Sequence, residues 1–372
     1  MKKILFIGDS RMIHFKRMIN YFYDNFNFHV VVLISIPNKK IRAHSVIIDQ
    51  CISKSKKKWI FNNYKLRALV KRHKISIVNV HYIPSGFTSF LIPVPLVITA
   101  YGGDVSEVPN NFFSLQKILT KVLLKKSQKV FIDSYDLKNN LERYFKIESE
   151  KIKYFQWGVD LNKVKNIDRS LDYRDKFNIP KNKKVIISYR GWTERYNILT
   201  LLDAYSELIK SRNDIVLVIK NTALVYDSKY QEKVKSRLLK KDLLNSTILI
   251  QNNLPYTDLL ELLSVSDIYV SVPSQDATAM SLLESLSLGA IPLLSNIESS
   301  KEWIEDKVNG FLCEVNVESI KKTLDVLLDI EKNEINQIKD YNHKLIKKRG
   351  DQTKCMNDIY EDYMKIKNNP YD

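Results

Sequence analysis

The chain predicts an α/β protein of two Rossmann-like, doubly wound βα domains, and three observations carry the prediction. A strand, a glycine-bearing turn, a helix and a second strand open the sequence, which is the βαβ unit of a parallel sheet. A second run of the same alternation begins at Lys183. Between the two runs, residues 162–184 are polar and charged and include Pro180, which makes them the linker candidate. At 372 residues the chain is long enough for two domains with separate cores.

Residues 3–8 (KILFIG) read as a buried first strand, 12–26 as a helix and 28–35 (FHVVVLIS) as the second strand. The first turn, GDSRMIH, has no GxGxxG pattern, so the usual dinucleotide fingerprint is absent. Residues 54–74 hold the densest basic cluster, nine Lys and Arg interleaved with Trp59, Ile60, Phe61, Tyr64, Leu66 and Leu69. Two readings stand side by side: an interfacial helix lying on anionic lipid, with Lys56, Lys57, Lys58 and Trp59 on the membrane face, or a solvated helix whose apolar residues face the core. Strands continue at 75–81, 95–104 and 129–134, with tight turns at Gly102, Gly103 and Gly158, and 156–161 (QWGVDL) reads as the loop closing the first sheet. In the second run, strands are expected at 183–192, 214–220, 246–252, 267–272, 291–296 and 309–315, with helices at 197–211, 228–240 and 257–265, inside 271–289, and after 315. The expected organisation is a basic domain over 1–165, a linker over 166–182, a second Rossmann-like domain over 183–355, and a C-terminal helix over 356–372 crossing back to the first domain. The carboxyl ends of both sheets are expected to face a cleft.

Composition fits a soluble enzyme, with 44% hydrophobic and 27% charged residues. Cys51, Cys313 and Cys355 are too few and too scattered for a disulfide framework or a zinc site and read as reduced thiols of a cytosol. The opening MKKILFIGDS resembles a secretion signal for only five residues before Gly8-Asp9-Ser10, and no run approaches the roughly twenty apolar residues of a membrane span. The charge is uneven. Residues 1–165 carry 29 Lys and Arg against 11 Asp and Glu, whereas 166–372 carry 30 against 31. A basic face on one domain predicts a polyanionic partner there, an anionic membrane surface or an anionic substrate.

The candidate site centres on 271–289, SVPSQDATAMSLLESLSLG. A polar loop at the end of a strand feeds a helix, whose first N–H groups and dipole suit an anion. Asp276 and Glu284 stand eight apart in it, with Ser274, Thr278 and Ser281 around them. On this pattern the stretch holds a nucleotide diphosphate.

PSQDATAMSLLESLSLGAIPLLSN followed by NGFLCEV resembles the C-terminal signature of retaining glycosyltransferases of the GT-B fold, family four, the group one transferases. The match runs over about forty residues: Asp276, seven intervening residues, Glu284, the Gly289–Pro292 strand entry and the turn at Asn309, Gly310 and Phe311. TAYGGDV (99–105), QWGVDL (156–161) and ISYRGWTERYNI (187–198) extend it more weakly over most of the chain. The resemblance implies that Glu284 accepts from ribose hydroxyls, that Asp276 approaches the donor sugar, and that backbone N–H groups of Thr278, Ala279, Met280 and Ser281 hold the distal phosphate. Arg190 and Arg195 match the basic pair that neutralises the leaving diphosphate, work suited to a planar, always charged fork. With those cations in place of a divalent metal, no metal or other cofactor is expected. The departures are Asp276 where glutamate is usual, Arg195 where lysine is common, Lys220 in IKNTA where a glycine-rich turn is usual, and Tyr101 where many members have histidine. On the acceptor side Ser10, His14, His81, Tyr101, Gly102 and Asp104 are the candidates, with His81 and His14 as replacements for the missing histidine.

The resemblance implies transfer of a sugar from a nucleotide diphosphate donor, of unknown base, to a glycan or lipid-linked glycan with retention. A lipid-linked acceptor at an anionic membrane joins the basic half to the missing span, with the protein cytoplasmic and peripheral on the inner face of the membrane. The Lys-, Ile- and Asn-rich composition suggests a bacterial source and surface polysaccharide assembly, capsule or lipopolysaccharide. The alternatives are another GT-B enzyme, an epimerase or phosphorylase, and a non-catalytic polyanion- or membrane-binding protein; no nucleic acid partner is expected.

Overall fold

The computed structural model describes residues 1–49, 59–106, 114–168, 170–222, 227–251 and 254–366. Two compact units are present: Met1–Trp157 together with the chain from Thr353, and Gly158–Gln352. The stretch 166–182 lies within the second unit, where Phe177 and Ile179 are buried.

The first unit is a seven-stranded parallel sheet among the described residues. Its strands are β1 (Lys3–Ile7), β2 (His29–Ile34), β3 (Ser45–Ile48), β4 (Ile77–His81), β5 (Leu96–Thr99), β6 (Lys129–Ile132) and β7 (Ile152–Tyr154), in the order β3-β2-β1-β4-β5-β6-β7. Central strands such as β1 and β2 are apolar on both faces because helices cover both, as a parallel sheet requires. Three long helices belong to this run: α1 (Ile13–Asn25), α2 (Trp59–Arg72) and α3 (Leu115–Lys126). α1 buries Phe15, Met18, Ile19 and Phe22, the one-faced spacing of a sheet-covering helix. The sequence reading contained neither β3 nor β7. Both are edge strands, four and three residues long and only partly buried, so their apolar signal is short and weak.

In the second unit the strands are β8 (Lys184–Arg190), β9 (Ile215–Asn221), β10 (Thr247–Ile250), β11 (Ile268–Ser271), β12 (Ile291–Ser295) and β13 (Phe311–Cys313), ordered β10-β9-β8-β11-β12-β13 and all parallel. Helices α4 (Ile198–Leu208), α5 (Ser228–Leu238), α6 (Tyr256–Ser264), α7 (Met280–Leu288), α8 (Val317–Leu328) and α9 (Lys332–Arg349) complete it. α7 is buried on every side, all nine of its residues, which explains its apolar and small composition. It ends on Gly289 at φ 92°, a left-handed position that glycine fills without strain and whose N–H returns to Ser285 and Leu286.

The last helix, α10 (Gln352–Lys365), returns to the first unit. Tyr363 packs edge-on against Phe6, Phe22 and Phe131 at 5.6–6.0 Å between ring centroids. Lys2 Nζ donates to the carbonyls of Tyr363, Met364 and Ile366, satisfying groups left open where the helix ends and placing a cation at the negative end of its dipole.

Candidate active site

In an open parallel sheet a ligand crevice forms at the carboxyl ends of the strands, where the winding reverses. In the second unit that point lies between β8 and β11, because β8 leads outward to β9 and β10 while β11 leads the other way to β12 and β13. Arg190 is the last residue of β8, Arg195 lies in the turn that follows, and residues 273–279 connect β11 to α7. Residues 75 to 91 apart in sequence thus meet at one edge.

Arg190 is the centre of this meeting and is 7% exposed. Its Nη2 is ion-paired with Asp276 Oδ2, its Nη1 donates to Ser281 Oγ at 3.2 Å, and its guanidinium lies over the Tyr196 ring at 4.3 Å. Tyr269 of β11, fully buried, hydrogen-bonds Ser281 Oγ at 2.7 Å and fixes it from below. Burial pushes the Asp276 carboxyl up, against the pull of Arg190 and Arg195. Arg190 keeps its charge, since a guanidinium does not lose its proton in a protein. Its Nε is buried and makes no hydrogen bond, so the fork retains a donor.

Two backbone seams hold the loops together. Ser274 donates its N–H to the Arg195 carbonyl at 2.8 Å, and Asn197 Nδ2 donates to the carbonyls of Val272 and Arg195. Ser274 itself is exposed, while Thr278 is buried and accepts from Trp303 Nε1 at 3.1 Å. A concavity is lined by Ser271, Pro273, Asp276, Thr278, Ala279 and Ser300, among others. Ala279 caps α7 with no side-chain hydrogen bond, and Met280 behind it is buried. Glu284 sits one turn into α7, 3% exposed, a position at which a carboxylate requires polar partners. Lys220, the last residue but one of β9, lies beside Tyr189 of β8 and is buried, which lowers its pKa.

The acceptor-side candidates gather at the matching reversal of the first sheet, between β1 and β4. His81, the last residue of β4, is fully buried, and its Nδ1 is 2.8 Å from Tyr101 Oη. Burial drives its pKa down to about 3, with the charge of His14 adding to the effect, so the ring is neutral. His14 stacks on Trp157 at 4.9 Å, and Tyr101 stacks on the same indole at 5.4 Å. Asp104 accepts the N–H groups of Ile83 and Tyr101, both at 2.8 Å, and burial pushes it up to about 6 despite those bonds. Gly102 provides the left-handed turn, φ 95°, that bends the chain back to make this possible. Ser10 Oγ donates to the Ile36 carbonyl at 2.7 Å, a loop-to-loop tie. Of the membrane-face candidates, Lys56, Lys57 and Lys58 lie outside the described residues, and Trp59 is the first residue of α2.

Tyr196, Asn197 and Tyr269 lie in stretches read from the sequence but were not singled out there as site residues, nor was Trp303 as a partner of Thr278. Tyr269 left a trace in the sequence: a buried phenol in an apolar strand needs a partner for its hydroxyl.

Residues 170–346 match the family described as glycosyl transferases group 1, and residues 3–134 match the glycosyl transferase 4-like family. The chain belongs to the group 1 glycosyltransferases. Among curated relatives of this family, the UDP-Gal:α-D-GlcNAc-diphosphoundecaprenol α-1,3-galactosyltransferase of Escherichia coli is 24% identical over 263 residues. That alignment spans 68% of this chain and 65% of the relative. A glycosyltransferase of Rickettsia africae superposes with a TM-score of 0.81 at 18% identity, covering 98% of each chain. HepE of Anabaena, solved with UDP-glucose, superposes with a TM-score of 0.79 at 13% identity over 98% of this chain and all of its own. At such identities these structures show the shared GT-B fold.

Proposed function

We propose that the protein transfers a hexose from a nucleotide diphosphate sugar to a hydroxyl of a glycan or lipid-linked glycan, with retention at the anomeric carbon. The observation that carries this reading is the buried Arg190 fork at the strand-order reversal, beside the N-terminus of α7. In the transfer, the bond from the anomeric carbon to the distal phosphate oxygen breaks and the acceptor oxygen bonds to that carbon. The acceptor's proton leaves with the phosphate. Negative charge grows on the departing diphosphate, and Arg190 with Arg195 neutralises it in a site held ready by Tyr196, Ser281 and Tyr269. Asp276 pairs with Arg190, so a diphosphate bound to that fork shares or displaces the carboxylate, which then turns to the sugar hydroxyls. Glu284 binds the ribose.

The UDP-Gal donor of the Escherichia coli relative and the UDP-glucose bound to HepE support uridine as the base, and the diphosphoundecaprenol-linked GlcNAc of the former supports a polyprenyl-diphosphate-linked sugar as the acceptor class. A thermal-shift screen of UDP, GDP and ADP, followed by product analysis with the UDP-sugars, tests the reading. A shift with UDP and a glycosylated acceptor of unchanged anomeric configuration are expected. Free epimer or sugar phosphate as product overturns transfer, and binding to polyanions with no nucleotide shift overturns the enzyme reading altogether.

A further inference from the structure

The first unit carries a surface that the transfer site does not use. Connections β3 to β4, β4 to β5 and β5 to β6 all step the same way across the sheet, so right-handed crossovers place α2, the turn Ile83–Gly86 and α3 on one face. α1 steps the other way and covers the opposite face with α10, where Phe22 meets Tyr363. Side-chain bonds tie α2 and α3 to one segment. Asn63 donates to the Phe87 carbonyl at 3.2 Å and accepts from the Phe90 N–H at 2.8 Å, while Lys126 of α3 donates to the carbonyls of Phe90 and Ile92. The Arg67 charge also acts on Lys126, so the two helices are electrostatic neighbours.

The start of α2 is turned inside out for a helix that only covers a sheet. Asn62 and Asn63 are buried, and Ile60, Phe61 and Tyr64 are 65%, 68% and 61% exposed. On α3 the stripe Leu115, Ile118 and Val122, spaced three and four apart, is exposed as well. Both helices then end in cations open to solvent, Lys71 and Arg72 on α2 and Lys125 on α3, while the Lys126 ammonium is held by the Phe90 and Ile92 carbonyls. Residues 50–132 contain 14 Lys and Arg against two acids, Asp104 and Glu107, and Asp104 is buried.

We propose that the joint outer face of α2 and α3 docks on an anionic lipid bilayer, with Ile60, Phe61, Tyr64, Leu115, Ile118 and Val122 entering the interface and the basic helix ends meeting the headgroups. Large exposed apolar side chains rimmed by one sign of charge fit that partner. A nucleic acid satisfies the charge and leaves the aliphatic stripe of α3 without a role. The proposal deepens the reading of a lipid-linked acceptor and rests on it for its purpose, while the surface stands on its own exposed residues.

Flotation of the full-length protein with phosphatidylglycerol–phosphatidylcholine vesicles, against phosphatidylcholine alone, tests it. Binding to the anionic vesicles is expected, weakened by salt. The double variant Phe61→Ser/Ile118→Ser binds roughly tenfold or more weakly, given the apolar area withdrawn from the interface. Lys71→Glu/Arg72→Glu loses a similar factor through charge, each cation near a charged bilayer being worth about fivefold. Circular dichroism and the UDP thermal shift stay unchanged in both variants, because these side chains are exposed and outside the donor unit. Equal vesicle binding by the serine variant, or tighter binding of the wild type to single-stranded RNA than to the vesicles, overturns the proposal. Absence of the UDP shift in the wild type overturns the transferase reading and leaves the lipid surface intact.

Discussion

Replacing Arg190 with Met tests the centre of the donor site, because the thioether chain preserves the stem packing and removes only the charged fork. Arg190 and Asp276 expose 8% and 17% of their side chains, so the pair is largely out of water. Removing one partner of a buried pair leaves the other charge uncompensated, at about 3–5 kcal/mol. Loss of the contact over Tyr196 adds about 1 kcal/mol. In the double variant Arg190→Met/Asp276→Asn the stranded charge is gone, so much of the loss returns, with a coupling of about 2 kcal/mol or more. The pH dependence has a definite sign. Burial already holds the Asp276 carboxyl above its ordinary value, and removal of Arg190 takes away the largest opposing pull. An acid whose folded pKa lies above its unfolded one adds stability that is present at low pH and lost as pH rises through the folded value. The Arg190→Met deficit is therefore greatest at neutral pH and shrinks on acidification toward about pH 4. Urea unfolding of the four proteins of the cycle between those pH values measures this, and turnover falls by about 10²–10³ if the fork stabilises the leaving group. Additive stability losses, or full turnover in Arg190→Met, would refute the reasoning.

Glu284→Ala should abolish the UDP thermal shift; an unchanged shift would show that this buried carboxylate does not hold the ribose. His81 is kept neutral by burial, its pKa lowered to about 3, so the unfolded chain takes up a proton first as pH falls below about 6.5, and this group's contribution to stability is lost from there toward pH 3. His81→Gln should flatten the acid limb of the stability curve by as much as about 4 kcal/mol at its lowest point, and an unaltered limb in urea titrations would contradict the burial account. Thr278→Val removes the acceptor of the Trp303 indole N–H and should cost about 1–3 kcal/mol by leaving that donor buried and unpaired; a neutral result in thermal unfolding would show that the N–H finds another partner.

The two-sheet α/β plan, and the βαβ order that carries it, were legible because buried parallel strands are long apolar runs separated by helix-period segments. Edge strands β3 and β7 were not, since half-exposed strands of three or four residues leave little pattern. The loop before α7 with Asp276, and Glu284 within the helix, were legible as residue types in a spacing, whereas Arg190 and Arg195 stood out only through the family resemblance. What the spacing does not encode is partnership. That Arg190 holds Asp276 and Ser281, 86 and 91 residues away, and rests on Tyr196, depends on β8 lying beside β11 in the sheet. The basic, aromatic run near Trp59 had two readings in sequence alone. In the fold α2 turns Leu66 and Val70 into the core and leaves Ile60, Phe61 and Tyr64 in solvent, so the helix has both a covered and an uncovered apolar side, which its sequence does not tell apart. Local order and residue chemistry are properties of neighbours along the chain. Which side chains meet, and which face is left over, is decided by the strand order and the hand of the crossovers, which bring distant segments to one edge.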